Sequence, residues 1–244
     1  MSLLKNYPTH IPIKGIDRLI MGAACFFGAT LHPENNNYIT GIGEITAFEP
    51  VLTRIRDSML SNKVGRQILR ERPRITSKTL DLDYLKSLPP DTFGNTYYKW
   101  LQREKVSPDT RVPVHYIDDE ELAYVFQRYR ECHDFHHAIS GLPIVLEGEI
   151  AVKAFEFANF GLPFAGAGAV ISPFKLTQKQ RTRLFDVYYP WCFSNGLNCK
   201  GLINIYWEQQ MEKKIDELRR ELGIESPPPD MRTLRKMDGA KKIT

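Results

Sequence analysis

The stretch EELAYVFQRYRECHDFHHAIS, residues 120 to 140, restricts the fold of this chain more than any other. Leu122, Val125, Phe126, Tyr129 and His133 recur at three- and four-residue spacings, the period of a helix with one buried face. Asp118 and Asp119 stand where an N-cap belongs. Gly141 supplies the stop, since glycine takes the left-handed conformation after a helix without steric cost. Pro143 then suits the first turn of a successor running through GEIAVKAFEFANFG. Two consecutive helices joined by a tight turn are therefore predicted at the centre of the chain.

Helical punctuation continues on both sides. The run VLTRIRDSMLSNKVGRQILRE puts Val51, Ile55, Met59 and Leu60 on one face and closes at Arg72-Pro73-Arg74. Shorter helices are expected at Leu80 to Leu88 and in TFGNTYYKWLQREKV, with further ones through LTQKQRTRLFDVYYPW and from Gly201 to Leu222. Strand patterning is sparse, so the expected class is mostly α, a single all-helical domain over residues 1–225. The PPP run at 227 to 229 introduces a basic tail, residues 226–244, expected to be poorly ordered. With 244 residues and 42% hydrophobic composition the chain can fill its own core without staples. Four cysteines in no CxxC pair suggest a reducing compartment.

Two apolar segments lack formal charge. Leu19 to Pro33 reads first as a buried helix and second as one lying on a membrane. Phe157 to Phe174 is broken by Gly161, Pro163, Gly166, Gly168 and Pro173, which disfavours a spanning helix. Tight packing in the core is its first reading and a groove for an aliphatic chain the second. Tyr188, Tyr189 and Trp191 are expected as core anchors. A net charge of +4, with acids and bases mixed throughout, argues against a dedicated nucleic-acid binder and suits an anionic membrane surface. Basic residues Arg232, Arg235, Lys236, Lys241 and Lys242 could add to that attraction.

The chemistry gathers in HDFHH. On a helix His133 and His137 lie about 40° apart around the axis, so both rings can reach one metal ion. Asp134 falls about 60° beyond His137 and His136 about 60° to the other side of His133, so neither is excluded. Glu149, on the next helix, can close the site if the chain turns back at Gly141 and Pro143. A helical histidine pair with a carboxylate from a neighbouring helix is the logic of zinc hydrolases. Such ligands suit zinc, iron(II), manganese or cobalt alike. The bland alternative is a solvated polar face with His133 packed beneath it and Cys132 a small buried residue. A metal phosphohydrolase reading would add His115 and Asp186.

HDFHH followed by eleven residues and Glu149 resembles the His-Asp-x-x-His-x11-Glu signature of the ubiquinone (coenzyme Q) biosynthesis family Coq four. TSKTLDLDYLKSLPPDTFGNTYYKWL, DDEELAYVFQRYRECHD, GEIAVKAFEFANFGLP and NIYWEQQMEKKIDELRRELGI resemble that family's blocks, so the similarity runs over roughly residues 8 to 225. The resemblance implies a peripheral protein on the matrix side of the mitochondrial inner membrane, working in a complex with other coenzyme Q biosynthesis proteins. Self-association as a homodimer is a further expectation. The resemblance also implies C1 oxidative decarboxylation of a polyprenylated hydroxybenzoate, with a divalent metal, zinc first, at His133, Asp134, His137 and Glu149. Asp134 and Glu149 are also the expected proton-transfer groups. The alternative is a non-catalytic lipid-binding scaffold with a structural metal. The N-terminal residues lack the presequence the family leads one to expect, which suggests a mature or trimmed form, or a relative never imported.

Overall fold

The computed structural model describes residues 6–31 and 36–240. Thirteen α-helices occur among them, with no strand and a single isolated bridge between Thr92 and Lys214. The first four are α1 (Gly15–Leu31), α2 (Asn36–Thr46), α3 (Glu49–Ser61) and α4 (Lys63–Glu71). The long helix read from Val51 onward is thus two. Asn62 divides them, its side chain accepting from the Val64 and Gly65 amides as the N-cap of α4. On α3 the buried stripe is Leu52, Ile55 and Met59, while Leu60 is exposed, so the expected face is rotated by one residue at its ends.

After α5 (Leu82–Ser87) and α6 (Phe93–Glu104) comes the organising helix α7 (Glu120–Ser140), with Asp119 capping the Leu122 amide at 2.8 Å. Such a cap contributes about 1 kcal/mol. Its neighbours are α8 (Leu146–Phe160) and α9 (Pro163–Ile171). Then follow α10 (Gln178–Arg183), α11 (Tyr189–Asn198), α12 (Ile215–Leu222) and α13 (Met231–Ala240). Nearly every residue of α7 from Leu122 onward is buried, because α3, α6 and α8 pack around it. The solvated polar face of the bland reading does not exist: Arg128, Glu131, His133, Asp134, His136 and His137 are all buried.

Four other expectations change. Leu19 and its neighbours form a helix as read, but on the surface, with Ile16, Leu19, Ile20, Phe26 and Phe27 exposed. The segment 157–174 is two-sided: Leu162, Ala165 and Ala169 pack inward, and Val170, Ile171 and Phe174 face out. Residues 201–222 are not one helix. Trp207 is drawn into the core beside Phe93 and Phe135, and Arg128 grips Glu208 at 2.6 and 2.8 Å, so 3-10 turns replace the helix until Ile215. The carbonyls of Met211 and Lys213 instead accept from the Gly94 and Phe93 amides at the start of α6. Within the segment read as a tail, residues 231–240 form α13, whose Met231 is buried and whose Arg232 pairs with the buried Glu104. Lys241 and Lys242 lie outside the described residues. Tyr188 and Tyr189 are buried, as expected of core anchors, and Trp191 is half-buried.

Candidate metal centre

The turn between α7 and α8 brings the two helices face to face. Gly141 adopts φ 68° and ψ 10°, and the Leu142 amide donates back to the His137 carbonyl at 3.1 Å. Pro143 does not begin α8, which starts at Leu146; it lies in the link, its carbonyl accepting from Val145 at 3.0 Å. Gly148 permits this close return, since a Cβ there would stand 2.1 Å from the Pro143 oxygen. Glu149, in the first turns of α8, is thereby aimed at α7.

Three of the expected residues converge. His133 Nε2 and His137 Nε2 are 3.2 Å apart, His133 Nε2 is 3.4 Å from Glu149 Oε2, and His137 Nε2 is 3.3 Å from Glu149 Oε1. The opposite ring edges settle which nitrogens carry protons. His137 Nδ1 meets the Leu142 carbonyl at 3.0 Å, and a carbonyl only accepts, so the proton is on Nδ1. His133 Nδ1 meets Glu156 Oε1 at 2.6 Å by the same logic. Both Nε2 atoms are then bare lone pairs, facing each other and a carboxylate. Such a set repels itself unless a cation or a proton stands between.

These residues fit a divalent ion. Zinc holds nitrogen and oxygen ligands at about 2.1 Å, and a tetrahedron of that radius has edges of about 3.4 Å, the scale of the three separations. Without an ion a proton answers the same demand. Burial alone would lower the His133 pKa, but Glu156 and Glu149 outweigh it and leave it raised. Burial would likewise raise Glu149, yet His137 and His133 hold its carboxyl well below the ordinary range. The Glu149 side chain is 34% exposed, so the cluster has an open side.

Asp134 stands outside this group. It is buried and accepts from Arg111 Nη2 at 2.6 Å. His136 also points elsewhere, its Nδ1 donating to Glu156 Oε1 at 2.8 Å. His133, His136 and Glu156 form a second grouping of metal-ligand types, but with every member buried and both contacts at hydrogen-bond length. His115 binds the Thr9 carbonyl at 2.7 Å and Asp186 is exposed on a separate π-helical turn, so neither joins His133.

Sequence reasoning missed the support around the rings. Glu156 accepts from Tyr129 at 2.6 Å and Lys153 at 2.8 Å besides the two histidines, and Arg111 reaches in from the loop before α7. A signal was present: Glu149, Lys153 and Glu156 follow at four- and three-residue steps, one stripe of α8, and Tyr129 precedes His133 by one turn.

The family model for "Coenzyme Q (ubiquinone) biosynthesis protein Coq4" matches residues 7–228. Among curated proteins, the mitochondrial ubiquinone biosynthesis protein COQ4 of Meyerozyma guilliermondii is 62% identical over 231 residues, covering 95% of this chain and 74% of the relative. Its counterpart in Debaryomyces hansenii is 60% identical, with 95% and 71% covered. A crystal structure from Nostoc punctiforme superposes with a TM-score of 0.68 at 19% identity, covering 88% of this chain and 100% of that one, which shows the fold alone. Since the matched residues take in the histidine helix, the turn and the glutamate that faces back, the chain belongs to the coenzyme Q (ubiquinone) biosynthesis protein Coq4 family.

Proposed function

We propose that this chain serves coenzyme Q biosynthesis as a metal-dependent oxidative decarboxylase, replacing the C1 carboxylate of a polyprenylated hydroxybenzoate by a hydroxyl, with the carboxylate leaving as carbon dioxide and dioxygen serving as the two-electron oxidant. The observation that supports it most is the convergence of two bare imidazole nitrogens and the Glu149 carboxylate at 3.2 to 3.4 Å, open on one side. His133, His137 and Glu149 would hold the ion. A bound divalent ion would supply a Lewis acid for the ring oxygen and, if it is iron, a means of activating dioxygen.

The remaining steps fall to the chain's own groups. Arg111 and Lys153, 30% and 19% exposed, set positive charge beside the cluster, where an anionic head group would be drawn in and oriented. Glu149, on the open side, is placed to move a proton to or from a ring oxygen. Asp134 acts through Arg111, holding its guanidinium toward the site.

Access for a lipid tail is supported by the surface next door. The Lys153 stem runs along α9 at Gly168, and its ammonium lies 5.0 Å from the centre of the Phe164 ring. The far side of α9 carries exposed Val170, Ile171 and Phe174. Helix α2 packs against both α9 and α1, and α1 carries exposed Ile16, Leu19, Ile20, Phe26 and Phe27. No helix among the described residues is long and apolar enough to cross a membrane. Peripheral attachment to the matrix face of the mitochondrial inner membrane, among other coenzyme Q biosynthesis proteins, follows as part of the proposal.

That same apolar surface favours a second reading, a lipid-binding scaffold whose metal is structural. Element-resolved mass spectrometry of wild type beside His137→Ala, with precursor analysis of Glu149→Gln, separates them. About one zinc or iron per chain, lost in His137→Ala, and a carboxylated precursor that accumulates with Glu149→Gln, supports the enzyme. Normal turnover by Glu149→Gln refutes it.

A further inference from the structure

Glu156 lies at the bottom of the site, fully buried, and collects four donors on one carboxylate. Oε1 accepts from His133 Nδ1 at 2.6 Å and His136 Nδ1 at 2.8 Å. Oε2 accepts from the Tyr129 hydroxyl at 2.6 Å and Lys153 Nζ at 2.8 Å. Four donors of this kind fix the orientation of the Glu156 carboxylate. His136 reports the same constraint from the far side: with Nδ1 bound to Glu156, its Nε2 is buried without a hydrogen-bond partner.

We propose that Glu156 is the positioning residue that sets the metal affinity of the centre, by holding His133 in the one tautomer and orientation that presents Nε2 to His137 and Glu149. The inference rests on the metal-centre reading above. Rotating the His133 ring, or moving its proton to Nε2, would remove a ligand; the 2.6 Å contact to an anionic acceptor opposes both. The negative charge on Glu156 also increases the basicity of the opposite ring nitrogen. Lys153 completes the device. Its ammonium approaches His133 Nδ1 to 3.4 Å, and two donors so close are compatible only because Glu156 stands between them as common acceptor. His137 has only a neutral carbonyl behind it, so the charged support is given to one ligand of the pair.

The test compares zinc affinity, by competition with a chromophoric chelator, in wild type, Glu156→Gln and Glu131→Gln. Glu131 is the control because it too is a buried α7-region carboxylate saturated by donors, Arg74 at 2.7 Å, Ile75 at 2.9 Å and Gln127 at 2.9 Å, but it lies outside the site. Glu156→Gln is expected to bind zinc about 10- to 100-fold more weakly, as loss of the carboxylate behind a ligating histidine typically does. Glu131→Gln should lower the melting temperature and leave zinc affinity unchanged. Equal affinity in Glu156→Gln and wild type overturns the proposal, as does an equal loss in both variants. A second measurement needs no variant to fold: nitrogen-15 spectra of histidine-labelled, zinc-loaded wild type. A proton on His133 Nδ1 supports the proposal. A proton on Nε2, with the ion on the Glu156 side, overturns it while leaving metal binding intact. Wild type that binds no divalent ion refutes the metal-centre reading itself, a result distinct from either.

Discussion

Asp134 and Arg111 offer the sharpest division between a metal ligand and a group that serves the site from outside. The Asp134 side chain is 3% exposed and its Oδ1 receives Arg111 Nη2 at 2.6 Å, whereas the Arg111 side chain is 30% exposed. The two ends of the pair are therefore unequal. Arg111→Met leaves a buried carboxylate with its charge unanswered, and breaking buried pairs in this way costs about 3–5 kcal/mol when both ends are dry. The partial access of water to Arg111 reduces that to about 2–3 kcal/mol. Asp134→Asn leaves behind a cation that can reach water and keeps an amide oxygen for one hydrogen bond, so its cost is about 1 kcal/mol. At about 2–4 °C per kcal/mol for a domain of this size, the melting temperature should fall by about 4–12 °C in the first variant and by no more than about 4 °C in the second. Both should be melted after treatment with a chelator, since a bound ion adds its own stabilisation by mass action. Element analysis of Asp134→Asn completes the experiment. If Asp134 acts through Arg111, the variant keeps its ion. An Asp134→Asn protein that melts like wild type but has lost the ion would refute this assignment and make Asp134 a ligand.

The exposed apolar face predicts that Phe27→Glu and Phe174→Glu, at positions 64% and 80% exposed, will weaken co-sedimentation with anionic phospholipid vesicles. Stability should stay within about 0.5 kcal/mol of wild type, and undiminished sedimentation would exclude this face as the docking surface. Gly148→Ala forces a Cβ against the Pro143 carbonyl, so a loss of about 1–3 kcal/mol is expected together with reduced ion content, because the start of α8 must move and takes Glu149 with it. Ion content unchanged in the folded variant would mean that the turn is more compliant than the 2.1 Å approach implies. For Glu156, burial would raise the carboxyl pKa, but His133 and Lys153 outweigh it and hold it well below the ordinary value of about 4.3. A depressed carboxyl contributes stability that is fully present above the unfolded pKa and is lost as pH falls through the folded one. Chelator-treated wild type should therefore lose stability more steeply than Glu156→Gln on acidification below pH about 4–5. Parallel curves in urea denaturation would contradict the depressed value.

What could be read in advance divides along a physical line. α7 was legible because its periodicity, its Asp119 cap and its Gly141 stop are local features that agree with one another. The pairing of His133 with His137 was legible for the same reason, since i and i+4 is a property of the helix alone. Long-range competition decided what could not be read. Residues 201–222 carry a helical pattern, yet the burial of Trp207 and the Arg128–Glu208 pair break it, and neither partner is near in sequence. Helix α1 lies on the surface against the expectation of a buried helix, because apolar composition alone does not distinguish a core from an exposed apolar face. Asp134 and Glu149 looked equivalent as acids near two histidines, and only the position of Arg111, twenty-three residues before Asp134, separates them. The same holds for Glu156. Its spacing from Glu149 and Lys153 announces a shared face of α8, but a carboxylate on that face could meet an ion, a histidine edge or solvent. The choice is made by the depth at which each residue enters the α7 interface: Glu149, near the start of α8, meets bare nitrogens at an open edge, and Glu156, two turns deeper, meets only donors. Two acids on one stripe are thus driven to opposite roles, one facing lone pairs that call for a cation or a proton between them, the other facing protons and holding them in place.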